Sequence, residues 1–194
     1  MGKLISLEGI DGAGTTTIAN ALDNLFEDVE TTAEPSELWT GKQVRRCLSD
    51  ESIHPLTDFY FFMGDRVHHI EEEVKDQIDS GSLVVSDRYS DSTRAYQPVA
   101  LVEGNVFHDQ HDARLYIDQV MGPWTYEPDV TFYIDISVDT AMERMNGDEK
   151  YETREFLEQV RDNYESICDE YDRIVRIDGE QSKEDVLDDI IDHL

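Results

Sequence analysis

Residues Leu4 to Thr17 read LISLEGIDGAGTTT, and the parsing of this stretch decides the fold. Leu4, Ile5 and Leu7 form a short apolar run suited to a buried parallel strand. Gly9, Gly12 and Gly14 then break the run before an amphipathic helix predicted over Thr15–Leu25. A strand, a glycine loop and a helix N-terminus in succession set inward-pointing backbone N–H groups beside the positive end of a helix dipole, which suits a polyphosphate. Against the pattern G-x-x-x-x-G-K-[ST], Gly9 and Gly14 match and Thr16 stands where a hydroxyl ligands Mg²⁺. Position 15 is threonine, where the pattern has a lysine that reaches the β- and γ-phosphates as a point charge. The motif is therefore weaker toward catalysis than toward binding. Alone, it reads equally as a nucleotide site made of Gly9, Ile10, Asp11, Gly12, Ala13, Gly14, Thr15, Thr16 and Thr17, or as a glycine-rich turn without a ligand.

Outside this stretch, composition bounds the class. The 194 residues are 39% hydrophobic and contain no repeat, linker or low-complexity segment, so a single domain over residues 1–194 is expected. Acidic residues number 45 against 16 basic ones, a formal net charge of −29, and they are spread through every predicted helix rather than gathered in a tail. Such a surface suits a high-salt cytoplasm, where screening makes self-repulsion tolerable; a partner with a basic face is the competing reading. The same charge repels nucleic acid, so no DNA or RNA partner is expected. Cys47 and Cys168 lack metal-ligand or C-x-x-C spacing and read as reduced thiols in or near the core. No run approaches the roughly eighteen apolar residues of a membrane helix and no signal peptide is visible, so a soluble, cytoplasmic protein without a membrane partner is expected.

Along the chain, Val29–Ala33 reads as a short strand ended by Glu34-Pro35, and a polar helix over Glu37–Leu48 carries the scarce cations Arg45 and Arg46. A long helical pattern runs from Pro55 to Ile78. Its core stripe is Met63, Val67, Ile70, Val74 and Ile78, while Phe59, Phe62, Arg66 and His69 share a second face on which a ring and a guanidinium project together. Leu83–Val85 form the next strand, ending in Ser86-Asp87-Arg88-Tyr89, and ionisable residues at that end of a parallel strand lie where open α/β sheets hold ligands. A helix from Ser92 is expected to be disturbed by Pro98. Further helices are predicted over Ala113–Met121 and Val138–Met145, the second followed by the polar turn Asn146-Gly147-Asp148-Glu149, with a strong strand at Val130–Ile136 between them. An amphipathic helix marked by Phe156, Leu157, Val160, Tyr164, Ile167 and Tyr171, a strand at Ile174–Ile177 and a helix striped by Val186, Leu187, Ile190, Ile191 and Leu194 close the chain. Five short apolar strands alternating with helices predict an α/β fold with a five-stranded parallel sheet covered on both faces.

Several of these pieces carry a resemblance. Leu7-Glu8-Gly9-Ile10-Asp11-Gly12-Ala13-Gly14, Phe62 with Asp65-Arg66, Asp87-Arg88-Tyr89 followed by Ser92 and Ala95-Tyr96-Gln97, Pro128 to Asp135, and Glu155 to Tyr164 resemble, in order and over nearly the whole chain, the signature set of thymidylate kinases. The resemblance implies the three-layer α/β/α architecture of P-loop NTPases and phosphorylation of dTMP to dTDP, with ATP as phosphoryl donor and Mg²⁺ as cofactor. It implies that Phe62 stacks on thymine, Arg66 donates to its O4, and Ser92 and Thr93 contact the base. Asp11 would orient the 3′-hydroxyl and Tyr96 would crowd the 2′ position. Arg88 would clamp phosphates, Thr16 and Asp87 would serve the metal, and Arg144, Lys150 and Arg154 would belong to a basic lid at about residues 144–154 that closes over the transferring group. A homodimer is the assembly the family generally forms.

Two departures bear on this. Thr15 replaces the loop lysine, and Ala33 replaces the arginine before the Glu-Pro pair, leaving Glu34-Pro35 without its customary cation. Both remove positive charge near the phosphates and spare the base pocket. Three readings follow: a dTMP kinase, a nucleotide-binding homologue with impaired catalysis, and a kinase for another nucleotide or nucleoside. Without the resemblance, Phe62 and Arg66 read as a core aromatic and a surface arginine, Asp87-Arg88 as a strand-end ion pair, and the lid cations as solvated charges.

Overall fold

The computed structural model describes residues 2–26, 28–145 and 150–194; the polar turn expected at Asn146 to Glu149 lies outside them. At its centre is β1 (Lys3–Glu8), which pairs in parallel with β3 (Leu83–Asp87) on one side and β4 (Val130–Asp135) on the other. β2 (Val29–Ala33) and β5 (Ile174–Asp178) flank these in the order β2-β3-β1-β4-β5, the five-stranded parallel sheet expected. Side chains alternate across it. Ile5 and Leu7 share one face with Val85 and Phe132, and Leu4, Ser6 and Glu8 share the other with Val84, Ser86, Thr131 and Tyr133. Both faces are covered, which is why the strands read as nearly continuous apolar runs.

The helices are α1 (Thr15–Leu25), α2 (Trp39–Leu48), α3 (Pro55–His69), α4 (Lys75–Ser80), α5 (Ser90–Glu103), α6 (Gln110–Met121), α7 (Val138–Arg144), α8 (Arg154–Glu170) and α9 (Lys183–Ile191). Ile18 and Leu22 of α1, Val186 and Ile190 of α9, and Leu157, Val160 and Ile167 of α8 join the strands in one large core. Leu4 and Val84 pack with Ile70, Val74 and Ile78, and a smaller cluster of Phe59, Met63, Leu101, Ile117 and Met121 ties α3, α5 and α6 together.

Three expectations are corrected. The pattern from Pro55 to Ile78 is continuous, but a π-helical turn at Ile70–Val74 joins α3 to α4. The wider turn rotates α4 relative to α3, so the expected stripe is not a single line. Met63, Ile70, Val74 and Ile78 are buried, whereas Val67 is 44% exposed and the face holding Phe59, Arg66 and His69 is turned inward. Pro98 does not disturb its helix: α5 runs through it, and burial of Ala95, Val99 and Leu101 offsets the missing backbone donor. Finally, α2 begins at Trp39 rather than Glu37, because Leu38 is extended.

Candidate active site

The C-terminal ends of β1 and β3 stand side by side: Leu7 pairs with Asp87, and the Arg88 N–H donates to the Leu7 carbonyl at 2.9 Å. Here the chain reverses its direction of strand addition, the place where open α/β sheets leave a crevice. Beyond β1, Gly12 (φ 85°) and Gly14 (φ 91°) adopt the left-handed backbone that glycine alone takes without penalty. Gly12 also lies against α7, where an added Cβ would sit 3.1 Å from the Ala141 carbonyl. Thr15, the first residue of α1, is buried, and Thr16 and Thr17 are exposed. Thr16 Oγ1 donates to Asp87 Oδ2 at 2.5 Å, while the buried Asp87 Oδ1 has no partner among the described residues.

Arg88 follows β3 with φ 66°, a left-handed conformation that costs a non-glycine residue on the order of 1–3 kcal/mol and persists only where its surroundings impose it. Its Nη1 donates to the Gly9 carbonyl (2.9 Å) and Ser92 Oγ (3.2 Å), and its Nη2 to Asp11 Oδ1 (2.6 Å). The guanidinium lies over the Tyr96 ring at 5.3 Å, and the Tyr96 hydroxyl accepts from the Asp11 N–H at 2.8 Å. Burial opposes the Arg88 charge, yet Tyr96, Asp11 and Asp87 raise its pKa further above the ordinary arginine value. A fixed cation thus sits against the glycine loop.

Next to this lies a cavity of about 240 Å³ whose lining includes Asp11, Arg88, Ser92, Thr93 and Tyr96, with Phe62 and Arg66 from α3. Arg66 is 1% exposed. Its Nε and Nη2 bond to Glu34 at 2.5–3.2 Å, and Nη2 also bonds to the Tyr89 carbonyl (3.0 Å) and Thr93 Oγ1 (2.8 Å). Nη1 meets only the weak acceptor Met121 Sδ in this set, at 3.1 Å, and is the cheapest edge to redirect. Burial alone would raise the Glu34 carboxyl, but Arg66 and His69 Nδ1 (3.1 Å) together hold it below its ordinary range. A second cavity, of about 590 Å³, is lined by Glu30, Glu37, Glu72, Glu73 and Asp76 beside Thr16 and Asp87, a poor setting for an anion.

The family model described as thymidylate kinase matches residues 7–190. The chain belongs to the thymidylate kinase family. A "probable thymidylate kinase" of Halobacterium salinarum is 40% identical over 188 residues, covering 96% of this chain and 92% of that protein. Another from Halorubrum lacusprofundi is 38% identical over 185 residues, covering 95% and 93%. Among solved structures, thymidylate kinase from Ehrlichia chaffeensis superimposes with a TM-score of 0.76 at 26% identity, covering 99% of this chain and 98% of that one. The Candida albicans enzyme, at 22% identity and a TM-score of 0.83 over 99% and 90%, shows the shared fold.

Set against the family's pattern, the structure gathers Asp11, Phe62, Arg66, Arg88, Ser92, Thr93 and Tyr96 around one cavity and pairs Thr16 with Asp87. Two bland readings fail: Arg66 is buried, and Arg88 pairs with Asp11 while Asp87 pairs with Thr16. Although Ala33 supplies no cation, Glu34 is paired with Arg66 and hydrogen-bonded with His69, both from α3. The three lid cations separate. Arg144 Nη1 donates to the Gly12 carbonyl at 3.1 Å and so rests on the glycine loop. Arg154, 46% exposed, pairs with Asp139 (2.7 Å) and Glu158 (4.0 Å) at the surface instead. Lys150 turns away: its Nζ bonds to the Ile53 carbonyl and to the buried Asp58 at 2.8 Å, because a buried carboxylate at the start of α3 needs a counter-charge.

Residues not foreseen also line the cavity. Arg45 reaches it from α2, held by the Pro35 and Ser36 carbonyls (2.8 Å each) and Glu37 (3.2 Å). Tyr151 closes another side, its hydroxyl on Asp58 (2.6 Å), and Gln97 is buried with its amide oxygen unpartnered among the described residues. The rarity of cations was the available signal for Arg45.

Proposed function

We propose that this chain transfers the γ-phosphoryl group of ATP to dTMP, giving dTDP and ADP, and that the monophosphate nucleotide occupies the 240 Å³ cavity. The observation that carries this is the junction of two chemistries in one cavity: an aromatic ring and a buried guanidinium from α3, and a second guanidinium held against the glycine loop. Phe62 offers a base its stacking face and Arg66 Nη1 an edge donor; Gln97 adds an acceptor for a ring N–H. Tyr96 and Asp11 border the sugar. Arg88 and Arg45 supply the guanidinium forks that match phosphate oxygens.

Thr16 and Asp87 fit the metal that the family implies. Mg²⁺ takes one or two carboxylates and fills its shell with water and substrate phosphates, and Asp87 offers a buried oxygen without a partner among the described residues, beside a threonine hydroxyl. When bound there, Mg²⁺ neutralises charge on the phosphates. The chain's own part is positioning and electrostatics: backbone N–H groups of the loop and the α1 N-terminus hold the donor phosphates, while Arg88 and Arg144 face the charge that moves during transfer. Arg144 on the Gly12 carbonyl supports the view that a cation from α7 substitutes for the lysine replaced by Thr15.

The exposed Tyr60, Phe61 and Val67 of α3 support a homodimer built along that helix, and no helix among the described residues is long and apolar enough to cross a membrane. The acidic surface supports work in concentrated salt within the cytoplasm. The deciding experiment is coupled ADP release in molar KCl with dTMP, dUMP, dCMP and dGMP. Turnover fastest with dTMP is expected; preference for another nucleotide would reassign the substrate, and binding without turnover would favour the impaired homologue that Thr15 suggests.

A further inference from the structure

Glu8, the last residue of β1, is a charged group that belongs neither to the base pocket nor to the phosphate-facing cations. It is fully buried, on the face of the sheet that also carries Ser6 and Tyr133. One carboxylate oxygen accepts from the Tyr89 N–H at 2.8 Å; the other accepts from Ser92 Oγ at 2.5 Å and the Tyr164 hydroxyl at 3.0 Å. Three elements thus converge on it: the end of β3, the first turn of α5, and α8. A purely packed position would be filled better by leucine, since a buried carboxylate costs several kcal/mol unless compensated.

The partners indicate its use. Ser92 Oγ donates its one proton to Glu8, which leaves its lone pairs facing Arg88 Nη1 at 3.2 Å and the Tyr164 hydroxyl at 3.0 Å. Were that proton not claimed, the hydroxyl could rotate and present it toward the guanidinium. The Tyr164 ring stacks on Tyr133 (4.8 Å) and meets the edge of Tyr96, the ring on which Arg88 lies. Both routes out of Glu8 therefore end at Arg88, whose backbone is left-handed at φ 66°.

We propose that Glu8 is a positioning residue for phosphoryl transfer, which orients the Arg88 guanidinium by fixing the Ser92 hydroxyl as an acceptor. The inference rests on the kinase reading of the cavity. Burial, with the nearby Asp91, pushes the Glu8 carboxyl up to about 7, so the protein keeps this group at a cost to folding, as expected of a group held for activity.

Glu8→Gln and Ser92→Ala are compared with wild type by steady-state kinetics with dTMP and ATP, by calorimetric dTMP binding, and by thermal melting, all in the same high-salt buffer at pH 8. Glu8→Gln is expected to lower kcat about ten- to a hundredfold, the range for outer-shell groups that orient a reactive centre, with ATP KM little changed and a melting temperature equal to or above wild type. Because Glu8 acts through Ser92, the double variant is expected to lose no more than the worse single variant. Wild-type kcat in Glu8→Gln, additive losses, or a kcat loss matched by a fall in melting temperature would overturn the proposal. If Glu8→Gln does not fold, Ser92→Ala alone decides: it must lower kcat tenfold or more while melting like wild type. If wild type itself shows no turnover, the kinase reading fails separately, and Glu8 is judged by dTMP affinity, which must weaken about tenfold in Glu8→Gln.

Discussion

Replacing Glu34 by glutamine tests the buried ion pair in the wall of the 240 Å³ cavity. The substitution keeps side-chain shape and one acceptor but removes the charge facing Arg66, whose guanidinium is 1% exposed and makes its contacts at 2.5, 2.9 and 3.2 Å to this carboxylate. Removing one partner of such a pair leaves the other buried and uncompensated, at a cost of about 3–5 kcal/mol. The remaining bonds to the Tyr89 carbonyl and Thr93 do not neutralise the charge, so the upper part of that range applies. The pH dependence has a definite sign. The Glu34 carboxyl is depressed in the fold, so its stabilisation is complete above the unfolded-state value of 4.5 and is lost as pH falls through the lower folded value. Urea melts of wild type and Glu34→Gln in constant high salt should therefore differ by the full amount at pH 7 and converge below pH 4.5. A difference under about 1 kcal/mol at pH 7, or one unchanged in acid, would refute the assignment of Glu34 as the counter-ion of Arg66.

Other outcomes rest on the same geometry. Phe62→Ala should weaken dTMP binding by about 1–3 kcal/mol in calorimetry while leaving ATP binding intact, the scale of one stacked base contact. Arg144→Ala should slow turnover by about 10²–10³ if this cation stands in for the loop lysine, and Thr15→Lys should then change wild type little; a large gain in Thr15→Lys would show that nothing compensates. Lys150→Met should cost about 3 kcal/mol in urea melts, by stranding Asp58, with kcat nearly unchanged; a collapse of kcat at wild-type stability would return Lys150 to the lid. Circular dichroism melting should show stability rising steeply with KCl, because unscreened like charges repel over a Debye length of about 30 Å at 0.01 M salt; equal stability at low and molar KCl would remove the high-salt reading.

How far residues alone could lead is best seen in particular cases. The strands were legible because burial on both faces leaves runs such as Leu83 to Val85 with no competing pattern, and the glycine loop because glycine alone takes the backbone of positions 12 and 14 without penalty. The π-helical turn was not, since widening a helix by one residue leaves no residue type behind, and Val67 was misassigned as a result. Arg66 and Arg88 were legible as motif members, but the carboxylates that hold them arrive by tertiary folding. The contact that Lys150 makes was not legible for the same reason: its partner Asp58 is 92 positions away, and nothing near Lys150 announces it.

The scarcity of cations has a practical side. Among the described residues, Arg173 on the fully buried Asp91 clamps α5 to the sheet edge, Arg94 ties Asp91 within α5 to Asp118 and Glu127, and Arg45, Arg66 and Arg88 border the 240 Å³ cavity. Most of the remaining acidic residues stand on helix surfaces with water as their neighbour. Joints and coat are therefore separable sets of residues. A version of this enzyme for dilute buffer could be engineered by neutralising coat positions such as Glu51, Asp76 and Glu184, with every arginine left in place.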